Sequence, residues 1–257
     1  MPVELYYSGS RADILVYVNQ RGEALAAEFI EGLSESDQKK VIRLLKEFAE
    51  RGEIRNREKF KLEQKPIYAF KSYQIRIPCF YLPDSPKRTV VLTHGLIKKA
   101  DKLPQRELDK AMQICNEVIQ TLKKGDALKP ADRFKKLLDK YRDDPEYVAE
   151  GLLIDINEQI VELLESKKVT RSELAQKLGV SNAYITKLLN GNENLTIKQL
   201  VRLVVALGCS VDVAIVPKRF TVDRLPSYRR ERREFILPAE LVKTKAASQT
   251  EKKKQKA

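Results

Sequence analysis

The amino-acid sequence predicts an α+β unit followed by an all-α unit. Between residues 21 and 51, apolar side chains recur at spacings of three and four, which is the period of a helix. Between residues 67 and 94 they occur in short runs with the period of a strand, and after residue 130 the helical spacing returns. Helices and strands that follow one another in separate blocks are typical of an α+β fold.

The first block predicts a helical hairpin. Ser34 or Ser36 is placed to cap its second helix, and Gly52 is placed to end that helix. The apolar faces of the two helices are formed by Ala24, Leu25, Phe29, Leu33, Val41, Leu44, Leu45 and Phe48.

The second block predicts three or four short antiparallel strands. The runs are 67–69, 74–77, 79–82 and 88–94, and a turn-rich cluster at 83–86 separates the last two. Pro104 then opens another helix, whose apolar face extends to Leu122. The unit is therefore a small sheet with helices before and after it.

Length, composition and cysteine content limit the class of protein. The chain has 257 residues, of which 42% are hydrophobic, so wholesale disorder is excluded. No apolar run approaches the ~20 residues of a membrane-spanning helix, and the first residues lack the order of a signal peptide. Three widely spaced cysteines form neither a disulfide framework nor a metal knuckle. We expect a soluble, cytoplasmic chain with no membrane partner, bound metal or cofactor.

The net charge of +13 points to a polyanionic partner. Residues 51–124 carry seventeen basic and eight acidic groups, and residues 218–257 carry thirteen and five. The segments before and between them are slightly acidic, at net −3 and −1. Solubility alone explains the basic tail about as well as nucleic-acid binding does. Together with the Gly- and Pro-containing stretch 125–130, this distribution predicts four segments: a domain at 1–124, a helical linker at 125–154, a domain at 155–217 and a largely disordered tail at 218–257.

Residues 155–208 contain the strongest local pattern. Thr170 and Glu173 form a capping box that opens one helix, and the stretch Gly179-Val180-Ser181 is a tight turn before the next. Helix, short glycine turn and helix are the plan of the helix-turn-helix motif, which binds the major groove of DNA. A plain helical bundle is the weaker alternative.

Six side chains of this segment are candidates for contact with operator DNA. Polar groups near the start of the second helix reach base edges, and groups at helix N-termini reach phosphates. The base-contacting candidates are Asn182, Thr186 and Lys187, the phosphate-contacting candidates are Ser181 and Arg171, and Tyr184 suits either role.

This segment resembles the XRE family of helix-turn-helix repressors. The family usually has glutamine after the capping residue, where this chain has Arg171. Residues Ser210–Val216 look like the C-terminal strand of antitoxins in that family. The resemblance implies a repressor that binds its own operator as a homodimer.

Residues 3–120 resemble the RelE/HigB-like toxin superfamily, and its phage-type branch in particular. The most specific segment is HGLIKKADKLP at 94–104, followed by Glu107, Leu108 and Ala111. The resemblance implies a RelE-like fold, with a helical hairpin and a small antiparallel sheet. It also implies an endoribonuclease that cleaves mRNA on the ribosome without a metal ion.

The resemblance assigns six candidate catalytic residues: Arg76, Lys71, His94, Lys98, Lys99 and Lys61. Arg76 occupies the family's strand arginine and clamps phosphate, whereas Lys71 replaces an arginine and so lacks a bidentate fork. The other lysines hold RNA or the transition-state charge. His94 is the candidate acid–base group, although a lone histidine at a strand end is more often structural.

Two functions follow from the joined resemblances. The first is a fused toxin–antitoxin protein, an mRNA endonuclease restrained in cis by its operator-binding half, with residues 131–154 expected to cover the RNA site. The second is a transcriptional regulator that uses an inactive toxin-like domain as a scaffold.

Overall fold

The computed structural model describes residues 2–98, 103–122, 132–190 and 195–213. The strands in this part of the chain are β1 Val3–Ser8, β2 Ala12–Tyr17, β3 Phe60–Gln64, β4 Ile67–Ser72, β5 Ile75–Tyr81, β6 Arg88–Leu92 and β7 Leu96–Ile97. The helices are α1 Leu25–Glu31, α2 Glu35–Arg51, α3 Gln105–Thr121, α4 Arg133–Tyr141, α5 Pro145–Ser166, α6 Arg171–Leu178, α7 Asn182–Leu189 and α8 Ile197–Ala206. The predicted α+β class, with a helical C-terminal part, is confirmed.

The strands form one mixed sheet in the order β1-β2-β6-β5-β4-β3, and β7 pairs with β5. All pairs are antiparallel except β2 and β6, which are parallel. The sequence predicts only antiparallel strands after the helices, so β1, β2 and the parallel pair differ from that prediction. Most of β2 is buried, so it lacks the alternation that marks a half-exposed strand.

Helices cover both faces of the sheet. On one face, α1 and α2 pack against the strands, and Phe48 of α2 contacts the rings of Phe60 and Phe70. On the other face, α3 packs its buried residues against Ile67 and Phe80. Ser34 is the cap of α2, and Gly52 ends that helix with φ of 80°, as predicted. The helical hairpin is therefore one wall of the core.

The helix α5 belongs to two hydrophobic cores. It has 22 residues and runs through residue 154, where the predicted linker meets the second predicted domain. Phe134 of α4 and Ile154 of α5 pack in the same core as α2. Ile160 and Leu164, further along α5, pack with α6, α7 and α8 instead.

The C-terminal end of the described chain is not a strand. Residues 210–213 adopt neither helix nor strand, and the remaining residues of the predicted C-terminal strand, 214–216, lie outside the described residues, as does the basic tail. Among the described helices, none has both the length and the apolar content needed to cross a membrane.

Candidate nucleic-acid interfaces

Three basic side chains of the predicted RNA site lie on adjacent strands, Lys61 on β3, Lys71 on β4 and Arg76 on β5. Lys71 and Arg76 are directly opposite each other in the β4–β5 register, and opposite residues of antiparallel strands share a face. Ile67 and Phe80 lie at even spacings from this pair along the same strands, and both pack against α3. The pair therefore projects from the α3 face, next to the β4–β5 turn.

Lys71 is held by a neighbouring loop. Its Nζ donates to the carbonyl oxygen of Arg57 at 3.2 Å and lies 3.6 Å from Oε2 of Glu58. Burial lowers the pKa of Lys71, and the charge of Glu58 opposes that shift. The ammonium group of Lys71 is thus already paired with the carboxylate of Glu58 and hydrogen-bonded to a carbonyl oxygen.

Arg76 is held by its own turn. Its Nη1 donates to the carbonyl oxygens of Tyr73 at 2.5 Å and Ile75 at 2.7 Å. Burial lowers the pKa of the guanidinium, while the charges of Glu63 and Glu58 oppose the shift. These contacts fix the guanidinium at the end of the sheet where β4 turns into β5.

The other lysines of the predicted site differ in placement. Lys61 is exposed on β3. The main-chain N–H of Lys98 donates to the carbonyl oxygen of Gln74 at 2.7 Å, which brings the segment after β7 to the β4–β5 turn. Lys99 lies outside the described residues. The structure therefore gathers Lys71, Arg76 and Lys98 at one end of the sheet.

His94 is buried, with 3% of its surface exposed. Its Nδ1 lies 3.0 Å from Oγ1 of Thr93, and its Nε2 lies 3.0 Å from Oε2 of Glu107 on α3. Burial and the charge of Lys110 lower the pKa of His94 to about 4, against the opposing effect of Glu107, so the ring is neutral near pH 7. In this arrangement His94 ties the end of β6 to α3, and the predicted acid–base role requires the Glu107 contact to open.

The α6–α7 unit has the geometry of a helix-turn-helix. Thr170 and Glu173 form the predicted capping box, and Gly179 adopts φ of 66° in the turn. Ser181 caps α7 by accepting from the main-chain N–H of Tyr184 at 3.1 Å. The glycine and both caps are placed as the sequence predicts.

The six side chains predicted to contact DNA differ in how far they are exposed. Tyr184 is half-buried, and its hydroxyl accepts from Nε2 of Gln199 on α8 at 2.9 Å, so its ring and hydroxyl belong to the packing of α7 on α8. Of the other five, Ser181, Asn182 and Lys187 are exposed, whereas Thr186 and Arg171 are half-buried.

Two family models match this chain. Residues 28–116 match the model described as Phage derived protein Gp49-like (DUF891), and residues 160–213 match the model described as Helix-turn-helix. The chain thus joins a region similar to Gp49-like phage-derived proteins to a region similar to helix-turn-helix domains. No curated protein and no solved structure matches it. We call residues 28–116 the Gp49-like region and residues 160–213 the helix-turn-helix region.

The segment between the two regions packs along α2 through opposite charges. Its ion pairs with the Gp49-like region include Lys39–Asp144 at 2.8 Å, Lys59–Glu150 at 3.4 Å and Arg51–Asp155. Because α2 and α3 cover opposite faces of the sheet, this segment lies on the face away from Lys71 and Arg76. The expectation that residues 131–154 cover the RNA site stays a prediction, and the described part of that segment packs in the same core as α2.

Residues 55–58, which we call the bridging loop, join the Gp49-like region to the helix-turn-helix region. The first two main-chain N–H groups of the loop donate to the buried carboxylate of Glu158 on α5, at 2.8 and 3.0 Å. Nδ2 of Asn56 donates to the carbonyl oxygen of Leu189 at the end of α7, at 2.7 Å. The carbonyl oxygen of the last residue of α7 is therefore satisfied by a residue of the other region.

Glu58, the last residue of the bridging loop, contacts both predicted sites. Its Oε1 accepts from Nη1 of Arg171 at 2.9 Å, and its Oε2 lies 3.6 Å from Nζ of Lys71. No sequence pattern predicts a role for Glu58, Asn56 or Glu158. They are single polar residues without a periodic pattern. Their role is visible only in the folded chain, where they contact residues more than 90 positions away in sequence.

Proposed function

We propose that this chain is a fused toxin–antitoxin protein. In this proposal the Gp49-like region is a RelE/HigB-like, ribosome-dependent mRNA endonuclease, and the helix-turn-helix region binds its own operator and restrains the endonuclease in cis. The observation that carries the proposal is the pair of Lys71 and Arg76 at one end of the sheet of a toxin-type region that is packed, within one chain, against a DNA-binding region.

The proposed reaction is attack of an RNA 2′-hydroxyl on the adjacent phosphorus. The hydroxyl proton passes to a base, the bond between phosphorus and the 5′-oxygen breaks, and that oxygen takes up a proton, which leaves a 2′,3′-cyclic phosphate and a 5′-hydroxyl. The phosphorane formed carries two negative charges, so positive groups fixed around it stabilise the transition state. Arg76 and Lys71 are placed for this role, with Lys61, Lys98 and Lys99 along the RNA backbone. These groups require no metal ion for charge stabilisation.

Lys71 and Arg76 are held by contacts within the Gp49-like region itself. Lys71 is engaged by Glu58, and Arg76 by two carbonyl oxygens of its own turn, so RNA must replace protein contacts before it is bound. A covalent connection also keeps the helix-turn-helix region at a high effective concentration against its partner. The contacts of Lys71 and Arg76 remain when the helix-turn-helix region is removed, since both lie within the Gp49-like region. The attached region therefore restrains the toxin by keeping it from the ribosome, and its removal, by proteolysis for example, activates the toxin.

DNA binding by the other region uses the exposed end of α7. Asn182, Thr186 and Lys187 face base edges in the major groove, and Ser181 and Arg171 hold phosphates. Tyr184 contributes by fixing α7 on α8 rather than by touching DNA.

The proposed DNA-binding form is a homodimer. On α8, Ile197, Val201 and Val205 follow one another at spacings of four, and they are 74%, 41% and 61% exposed. An apolar stripe on one side of a helix is the kind of surface that a second copy covers.

The alternative function is that of a transcriptional regulator whose toxin-like region is an inactive scaffold. The observation that favours it is His94, which is buried with both ring nitrogens in contact with other residues. Lys71 in place of the family's arginine points the same way.

Expression of residues 1–166 in bacteria separates the two functions. This fragment keeps the two hydrophobic cores of the sheet, whose members all precede residue 155, and loses α6 to α8. We expect it to arrest growth, while the full chain and the fragment with Arg76→Ala do not. If the fragment is folded by circular dichroism and harmless, the scaffold function is correct and the endonuclease function is not.

A further inference from the structure

We propose that Glu58 couples the two nucleic-acid sites, so that a polyanion bound at one site weakens binding at the other. This inference rests on the proposed function, because it takes Lys71 as part of the RNA site and Arg171 as part of the DNA site. It goes further in naming the residue through which each site senses the other.

The geometry is that of one carboxylate between two cations from different regions. Oε1 of Glu58 accepts from Nη1 of Arg171 at 2.9 Å, while Oε2 lies 3.6 Å from Nζ of Lys71. The side chain of Glu58 is 21% exposed, that of Arg171 33% and that of Lys71 13%. Solvent therefore screens these charges only in part. Their contacts are therefore stronger than those of a fully exposed pair.

The bridging loop holds this carboxylate in place. Asn56 is fully buried, its side chain is bonded to the end of α7, and its main-chain N–H is bonded to Glu158. Burial acts to raise the pKa of Glu58, but Arg171 and Lys71 outweigh it, so the pKa is lowered and the side chain stays ionised. A fixed, charged group cannot follow one partner that moves away.

The sign of the coupling follows from charge alone. A DNA phosphate that takes Arg171 leaves Glu58 to neutralise Lys71 more completely, and Lys71 then binds RNA less well. An RNA phosphate that takes Lys71 leaves Glu58 to hold Arg171 in the same way. Because the coupling is between two binding free energies, both effects have the same size.

The test uses the full chain with two probes, a fluorescein-labelled DNA duplex of random sequence and a 2′-O-methylated oligouridine, which has no free 2′-hydroxyl to attack. We expect Arg171→Gln to weaken binding of the RNA probe about threefold, and Lys71→Gln to weaken binding of the DNA probe about threefold. In the Glu58→Gln background both of these crossed effects disappear, and Glu58→Gln itself tightens the binding of each probe.

Glu63→Gln is the matched control. Glu63 lies on β3, and its charge acts on Lys71 and Arg76. The substitution removes the same charge as Glu58→Gln, and we expect the affinity for DNA to stay unchanged. If Glu63→Gln tightens DNA binding as much as Glu58→Gln does, the effect is one of general charge and the coupling is refuted.

The remaining outcomes separate this inference from the proposed function. If Arg171→Gln affects only the DNA probe and Lys71→Gln only the RNA probe, the coupling is wrong while both sites stand. A crossed effect that persists without the Glu58 carboxylate shows direct contact with the probe and also refutes the coupling. If Arg76→Ala and Lys71→Gln leave the RNA affinity unchanged, the RNA site itself is wrong and the coupling falls with it. Thermal unfolding of each variant, and rescue by Lys71→Arg, identify any loss that is due to misfolding.

Discussion

The predicted DNA-binding and RNA-binding side chains differ in how the fold treats them. On α7 and its cap, Ser181, Asn182 and Lys187 are exposed. On the sheet, Lys71 and Arg76 are mostly buried and already bonded to a carboxylate or to carbonyl oxygens. The α7 part of the predicted DNA-binding surface is thus open to a ligand, although Arg171 must first leave Glu58. The predicted RNA-binding surface must exchange protein contacts for RNA contacts at both Lys71 and Arg76. This difference is what a DNA-binding protein with a restrained toxin region requires.

The largest expected effect comes from Arg76. In the fragment of residues 1–166, Arg76→Ala should lower the rate of RNA cleavage about 10²- to 10³-fold, as loss of one group that stabilises transition-state charge commonly does. Lys65→Ala, which removes an exposed lysine from the β3–β4 turn, is the matched control and should leave the rate within about twofold of the parent. Equal rates for the parent and Arg76→Ala would remove Arg76 from the reaction.

The dependence of folding stability on pH tests whether His94 is buried and neutral in the fold. Because its pKa in the fold is about 4, below the ~6.5 of an unfolded histidine, only the unfolded chain takes up this proton as the pH falls between these values. The fold therefore loses stability as the pH falls from about 6.5 to about 4, on the order of 3 kcal/mol. Urea unfolding at several pH values should show this loss, and His94→Gln should abolish its histidine component. An unchanged pH dependence in His94→Gln would mean that the ring is not buried and neutral.

Asn56 tests whether the exposed DNA-binding surface depends on the other region. Asn56→Ala removes the donor to the carbonyl oxygen of Leu189 and should lower the free energy of unfolding by about 1–3 kcal/mol. The protein should also bind DNA less tightly, because α7 loses a contact that fixes its end. Arg57→Ala, at the exposed neighbouring position, should change stability by less than about 0.5 kcal/mol. If both variants unfold alike, the bridging loop does not support α7.

The smallest effect is expected from a substitution on α8, which should change the assembly of the protein but not its fold. Val205→Glu places a charge in the exposed apolar stripe and should shift the protein from dimer to monomer in light scattering, while the monomer stays folded. Arg202→Glu, at an exposed position of the same helix, should leave the dimer intact. A parent protein that is monomeric at the concentrations used for DNA binding contradicts the proposed dimer.

The two regions also differ in how far their sequences predict their structures. The helix-turn-helix region is built from local contacts, since Thr170 caps within three residues and Gly179 forms its turn alone. Such signals are visible in any short window of sequence, so its helices, caps and turn were predicted correctly. In the sheet, β2 pairs in parallel with β6 more than 70 residues away, and no local pattern indicates that pairing.

The predicted sites show the same limit. The residue types of the RNA site were read from a resemblance, and the β4–β5 register does place Lys71 opposite Arg76. What the sequence did not indicate is how these side chains are held, because Glu58 and Glu107 act through contacts that depend on the packing of whole elements. Burial changed the interpretation of His94 in particular, since a lone histidine in a sequence does not show whether solvent reaches it.

The central claim is that the Gp49-like region is an endonuclease held inactive by the rest of the chain. The most direct measurement is primer extension on an mRNA in a cell-free bacterial translation system, with residues 1–166, the same fragment carrying Arg76→Ala, and the full chain. We predict new 5′ ends within the translated region for the first protein only, and none when ribosomes are omitted. A folded fragment that leaves the mRNA intact on translating ribosomes, or a full chain that cleaves as fast as the fragment, would contradict the claim.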